Sequence, residues 1–125
     1  MEDPDLTGCH ILLVEDEHMM AKSLARLLGL WGAKIVGPAP TVERALALLR
    51  STEKIDYALL DVTLRGGTVF QIADALMARN VRFAFTTGSS TLIIPEGYRH
   101  AAVLQKPYDP VDLAKALQPI AGARS

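Results

Sequence analysis

The stretch "YALLDVTLRGG" (Tyr57–Gly67) decides how the rest of the chain is read. Four residues in a row, Tyr57 to Leu60, are apolar. That suits a β-strand covered on both faces, because a strand with one wet face would alternate. The run then stops on a carboxylate, Asp61, and passes into a loop that ends on Gly66 and Gly67. An acid in that position is commonly a turn former. It gains another meaning only if further chemical groups converge on it, so the neighbouring strands matter.

Similar short runs occur at Ile11–Val14, Lys34–Gly37, Phe83–Phe85 and Ala101–Leu104. Segments of helical spacing lie between them. Met20, Leu24, Leu27, Leu28 and Trp31 mark one apolar face; Val42, Ala45, Leu46 and Leu49 mark a second. Val69, Ile72, Ala73, Leu76 and Met77 mark a third, and Leu113, Ala116, Leu117 and Ile120 a fourth. Thr41 is an expected N-cap, Thr68 with Gln71 reads as a capping box, and Asp109 before Pro110 puts a cap ahead of a proline at the first helical position. Gly32, Asn80 and Gly122 stand where helices should stop. The segment "TGSSTLIIPEGYRH" (Thr87–His100) carries Pro95 and Gly97, which predicts a short or irregular fourth helix.

This alternation predicts one α/β domain of flavodoxin-like (βα)5 type. Its parallel sheet should have five strands in the order 2-1-3-4-5, joined by right-handed crossovers. The domain is expected over 9–121, with short tails at 1–8 and 122–125. A length of 125 residues suits a single core. A net charge of -1 gives no general attraction to nucleic acid or membrane. One cysteine, Cys9, excludes an internal disulfide and a cysteine-based metal cluster, and it reads as a small packing residue. The opening "MEDPDLTG" is acidic and polar, unlike a secretory or transit peptide, and no run approaches transmembrane length, so a cytoplasmic location is expected. His10, His18 and His100 lack metal-ligand spacing and read as surface or packing residues.

In sheets of this kind the functional groups gather beyond the carboxyl ends of the strands. Strand 1 ends in Glu15-Asp16-Glu17, strand 3 in Asp61, strand 4 in Thr86-Thr87-Gly88 and strand 5 in Gln105-Lys106-Pro107. Strand 2 ends in Gly37-Pro38, which reads as a turn. Each feature alone has an ordinary explanation: a helix-start acid, a turn hydroxyl, a solvated lysine. Together they bring carboxylates, a hydroxyl and an ammonium to one sheet edge. Carboxylates packed together repel unless a cation intervenes. Mg²⁺ suits such a set, being a hard ion that takes oxygen ligands. One carboxylate can then act as a nucleophile on phosphorus, while metal, lysine and hydroxyl neutralise the phosphoryl oxygens.

The strings "LLVEDE", "LLDVTL", "FTTG" and "QKP", in that order, resemble the response-regulator receiver domain of two-component signalling. The likeness runs from about Cys9 to Ala121. Asp16 and Lys106 each lie 45 positions from Asp61, a spacing similar to the family's. The resemblance implies that Asp61 is the phospho-acceptor, Asp16 the direct Mg²⁺ ligand, and Glu15 the acid that reaches the ion through water. It implies that Thr63 offers its backbone carbonyl to the metal. Thr87 would close on the phosphoryl group, in preference to Thr86 because Gly88 follows it, and Lys106 would bind the phosphoryl oxygens with Pro107 shaping the turn.

Three departures accompany the resemblance. Val103 stands where receivers carry a switch aromatic, and a β-branched valine cannot swing a ring. The fourth crossover is broken by Pro95 and Gly97. Thr63 and Ser89 occupy the positions that tune phosphoryl lifetime. The pattern "VRFAFTTG…VLQKPY" is similar to stand-alone alphaproteobacterial receivers with a Phe-x-Phe-Ala-Thr-Gly-Tyr-like motif, linked to histidine kinases of the HWE type. Implied partners are therefore a histidine kinase or phosphotransfer protein and an effector protein, with a homodimer as a further expectation. The surface near Tyr98, Arg99, Gln105 and Tyr108 is the expected output face. A degenerate receiver acting by phosphorylation-independent binding is the alternative. A phosphohydrolase resembling the haloacid dehalogenase class is a third, but it would want an acid where Thr63 stands.

Overall fold

Strand β3 (Tyr57–Asp61) lies at the centre of the sheet, and every one of its residues is buried. The computed structural model describes residues 3–63, 69–88 and 94–121. Around β3 stand β1 (His10–Val14), α1 (His18–Leu30), β2 (Lys34–Ala39), α2 (Val42–Ser51), α3 (Val69–Ala78), β4 (Arg82–Thr87), β5 (Ala102–Gln105) and α4 (Pro110–Leu117). The strands are parallel in the order β2-β1-β3-β4-β5, the arrangement expected from the sequence. In the described part of the fourth crossover, Glu96–Tyr98 form only a 3₁₀ turn.

Pleating divides the strand residues between two cores. Ile11, Leu13, Tyr57, Leu59, Ala84 and Leu104 face α1 and α4, meeting Leu24, Leu28, Trp31, Leu113 and Leu117. Leu12, Val14, Ala58, Leu60, Phe83 and Phe85 face α2 and α3, meeting Val42, Leu49, Ile72 and Leu76. Glu15, Asp61 and Lys106 continue the first series. The alternation that buries Leu13, Leu59 and Leu104 thus carries two acids and a lysine to the same side of the sheet edge.

The caps follow the residues. Thr41 Oγ1 accepts the Arg44 N–H at 3.1 Å, and Asp109 forms a capping box with Asp112 ahead of Pro110. Gly32 adopts φ +102, where an added Cβ would lie 2.9 Å from the Thr7 nitrogen. Asn80, at φ 57, follows α3. Cys9 is fully buried. Leu6 is also fully buried, and its N–H donates to the Trp31 carbonyl at 2.8 Å.

Two readings need correction. Gly37-Pro38 does not end strand 2: β2 continues to Ala39, whose carbonyl accepts the Glu15 N–H at 3.0 Å. Proline is tolerated there because β2 is an edge strand. Gly37 at φ +104 permits the path, since a Cβ would lie 2.8 Å from the Ala39 nitrogen and 3.0 Å from the Leu13 carbonyl oxygen. Continuous coverage holds for β1, β3 and β4, but the edge strands β2 and β5 are only partly covered. Gly66, Gly67, Thr68, Ser89 and Gly122 lie outside the described residues.

Arg79, just past α3, ties two layers together. Its guanidinium donates to the carbonyls of Leu49 (2.6 Å), Thr52 (2.9 Å) and Glu53 (2.7 Å) at the end of α2. These are charge-assisted bonds to carbonyls that the helix end leaves without helical partners. Arg79→Ala is expected to cost about 2 kcal/mol in urea unfolding. Arg79→Lys should recover only part of that, since a single ammonium cannot span three carbonyls. A stability equal to wild type in Arg79→Ala would contradict this.

Candidate functional site

The carboxyl ends of β1, β3 and β5 meet where the sheet alternation predicts. Lys106 Nζ donates to Glu15 Oε1 at 2.7 Å and to Asp61 Oδ2 at 3.2 Å. Asp61 is 1% exposed and Glu15 3%. Two buried acids therefore share one ammonium. Asp16, half-buried, stands with them: carboxylate oxygens of Glu15, Asp16 and Asp61 all lie within 4.8 Å of one another. A cluster of three oxygen donors at this spacing is compatible with a hard divalent ion, and no cysteine or histidine is needed to complete it.

The other oxygen of Asp61 is held separately. Its Oδ1 accepts the Thr63 N–H at 3.0 Å and the Thr63 hydroxyl at 2.8 Å. The resemblance pointed to the Thr63 carbonyl for the metal and to its side-chain position for phosphoryl lifetime, not to a hydroxyl bond on Asp61. The Asp-x-Thr spacing carried the signal, because an aspartate readily accepts from the N–H two residues on. Each oxygen of Asp61 thus has its own fixed donors, Thr63 on one side and Lys106 on the other.

These contacts set the electrostatics. Burial pushes the Asp61 carboxyl up, but hydrogen bonds from Glu15 and Thr63 and the charge of Lys106 outweigh it, leaving Asp61 below its ordinary value. Glu15 goes the other way: burial and the neighbouring Asp61 raise it, and the Lys106 bond only partly compensates. Lys106 loses some basicity to burial, yet Glu15 and Asp61 raise it overall. The site therefore separates its two buried carboxyls. Asp61 is held ionised, and Glu15 is the one that takes up a proton first.

Both threonines at the tip of β4 are buried. Thr86 pairs with Asp61 in the sheet register, and its carbonyl accepts the Val62 N–H at 3.0 Å. Thr87 accepts the Lys106 N–H on its carbonyl at 2.6 Å, which couples the end of β4 to the lysine loop. A cleft of about 200 Å³ opens beside Lys106, lined by Met20, Leu24, Leu27, Tyr108, Pro110 and Leu113. Burial pushes the Tyr108 phenol there up to about 12, so it stays neutral.

Of the expected output surface, Arg99 and Gln105 are exposed, whereas Tyr98 and Tyr108 are half-buried. Tyr98 stacks on Phe70 instead of standing in solvent. Val103 is 47% exposed on β5. His10 approaches Asp56 and the Gly8 carbonyl, and His100 packs edge-on against Phe83, as ordinary surface and packing residues do. Among the described residues, no helix is long and apolar enough to cross a membrane.

No protein-family model matches the chain. Individual proteins do. SdrG from Sphingomonas melonis Fr1, in its solution structure, is 40% identical with a TM-score of 0.78 over 90% of this chain and 95% of that one. The BeF3-activated conformation of SdrG from Pseudomonas melonis Fr1 is 39% identical with a TM-score of 0.73, over 94% of this chain and 97% of that one. A response regulator receiver domain protein (CheY-like) from Methanospirillum hungatei JF-1 shares the fold, at 22% identity and a TM-score of 0.73, over 89% of this chain and 91% of that one. The positive alginate biosynthesis regulatory protein of Pseudomonas aeruginosa is 36% identical over 115 residues, 87% of this chain and 46% of that protein, so the chain spans about half the length of this relative.

A parallel sheet in this order, with acids and a lysine at one edge, is the arrangement of a receiver domain. The chain belongs to the response-regulator receiver family.

Proposed function

We propose that the chain is a response regulator that accepts a phosphoryl group on Asp61 from the phosphohistidine of a histidine kinase or phosphotransfer protein. The observation that carries this reading is the Lys106 ammonium bonded at once to Glu15 and to Asp61, beside three converging carboxylates. In the transfer, an ionised Asp61 oxygen attacks phosphorus. The P–N bond to the donor imidazole breaks, the electron pair leaves on nitrogen, and an aspartyl phosphate forms. The depressed Asp61 keeps the nucleophile ionised. Thr63 holds Oδ1 in place, so the carboxylate meets the donor in a fixed orientation.

Mg²⁺ held by Asp16, Glu15, Asp61 and the Thr63 carbonyl would neutralise charge on the transferred group. Lys106 then exchanges its bond to Glu15 for one to a phosphoryl oxygen, and Thr87 engages another. A complete set of acids and lysine at one edge speaks against a degenerate receiver. The apolar cleft beside Lys106 supports docking of the phosphate donor, and the exposed residues of β5 and α4 support an effector-protein surface. The HWE-type kinase, a homodimer, a receiver domain over 9–121 and a cytoplasmic setting complete the reading.

Incubation with acetyl phosphate and Mg²⁺ tests it. The protein should shift on a phosphate-affinity gel, and excess EDTA should abolish the shift. No shift with Mg²⁺ present would overturn the proposal. The raised Glu15 adds a pH signature. A group whose folded value is raised keeps its proton to higher pH, so Mg²⁺ must displace that proton. Mg²⁺ affinity by titration calorimetry should therefore weaken as pH falls, beginning above the ordinary Glu value of 4.5. Affinity independent of pH in that window would contradict the role given to Glu15.

A further inference from the structure

We propose that Tyr98 is a latch that reports the state of the Asp61 site to residues 94–101, performing with its own ring the task for which Val103 has none. The inference rests on the phospho-acceptor reading and names how that site is read out.

The latch has two parts. The Tyr98 ring stacks on Phe70, with centroids 4.8 Å apart and an interplanar angle of 29°. It also meets Phe85 edge-on at 6.3 Å, while Phe70 and Phe85 pack edge-on at 5.5 Å. The hydroxyl donates to Asp74 Oδ1 on α3 at 2.6 Å. Ile94 and Ala101, on either side of the turn, pack against the same core. Residues 94–101 are therefore fastened to α3 and β4 by the packing of Ile94, Tyr98, His100 and Ala101, and Tyr98 adds the hydrogen bond to Asp74.

Both ring partners lead to the site. Phe85 precedes Thr87 by two residues on β4, and the Thr87 carbonyl is bonded to the Lys106 N–H. Phe70 lies in the first turn of α3, which follows the loop after Asp61 and Thr63. The arrangement with Lys106 Nζ on Glu15 is the resting one, because a phosphoryl group on Asp61 would compete for that ammonium. When the ammonium leaves Glu15 the Lys106 loop shifts, and its backbone N–H, bonded to the Thr87 carbonyl, carries the end of β4 under the Tyr98 ring. A surface tyrosine–carboxylate bond is weak enough to open reversibly, as a two-state element requires. Val103 is half-exposed on the edge strand and has one favoured rotamer, so it offers no comparable device.

Titration of the whole chain with beryllofluoride in saturating Mg²⁺ tests the latch, comparing wild type, Tyr98→Phe, Asp74→Ala and the double variant. Tyr98→Phe keeps the ring and loses only the hydroxyl. Each single variant should bind about fivefold more tightly than wild type, because the closed state loses its bond. The double variant should bind no more tightly than either single one, since both remove the same interaction. In wild type, beryllofluoride should speed hydrogen exchange of the Tyr98, Arg99 and Ala101 amides at least about tenfold. Equal or weaker binding by the variants, or unchanged exchange in a wild type that binds, overturns the latch and leaves the Asp61 reading standing. No binding by wild type overturns both.

Discussion

Asp61→Asn should take up no phosphoryl group from acetyl phosphate or from a phosphorylated kinase, and it should remain folded. Asparagine preserves the shape, and its side-chain oxygen can still accept from Thr63, which holds Oδ1 at 2.8 and 3.0 Å. What disappears is the anionic oxygen able to attack phosphorus. Stability should change little, because the fold favours the ionised Asp61 over a neutral group, while the change also relieves the repulsion between two buried carboxylates that share a single lysine. With Asp61 neutral, Glu15 also loses a neighbour that raises its pKa. The check is a phosphate-affinity gel beside a urea melt. A phosphorylated Asp61→Asn protein, or one that no longer folds, would contradict this account.

Lys106→Met has the opposite balance and the larger structural cost. Its ammonium is the group that bonds both Glu15 and Asp61, and it is itself largely buried. Replacing it with an apolar side chain of similar length leaves two buried carboxylates facing each other. Breaking a buried pair in this way costs about 3–5 kcal/mol at neutral pH. The Asp61 part of the pH dependence should invert as well, whereas the raised Glu15 already favours acid in wild type. In wild type, Asp61 lies below its unfolded value, so its stabilisation is present above that value and is lost as pH falls through the folded one. In the variant one carboxyl must hold a proton. Its value is raised, and stability is retained in acid and lost as pH rises. The phosphorylation rate should fall about 100-fold or more, since the cation that meets the developing phosphoryl charge is gone. Urea melts at acid and neutral pH, with a phosphorylation time course, test both parts.

The fold was legible because the strands are buried on both faces. β1, β3 and β4 read as unbroken apolar runs, and the caps at Thr41 and Asp109 stand where the residues put them. The edge strands were harder. Pro38 looked like a terminator, yet β2 has a free side that needs no donor, so the strand runs on to Ala39. Periodicity also overweighted large side chains. α1 buries Ala21, while Met20 is only half-buried, and Met77 on α3 is exposed.

In the candidate site, the convergence of Glu15, Asp16, Asp61 and Lys106 followed from strand order alone, because parallel α/β sheets collect their chemistry at one edge. The Thr63 hydroxyl on Asp61 and the seat of Tyr98 on Phe70 and Asp74 were not legible in the same way. The first depends on the rotamer of one side chain. The second depends on the path of a crossover whose proline and glycine erase the helical pattern.

The central claim is that a phosphoryl group resides on Asp61. Borohydride reduction of the acetyl-phosphate-treated protein converts an aspartyl phosphate into homoserine, and peptide mass spectrometry locates it. Homoserine at position 61, formed only when Mg²⁺ is present, is the expected result. Homoserine at another acid, or none at all, would contradict the account.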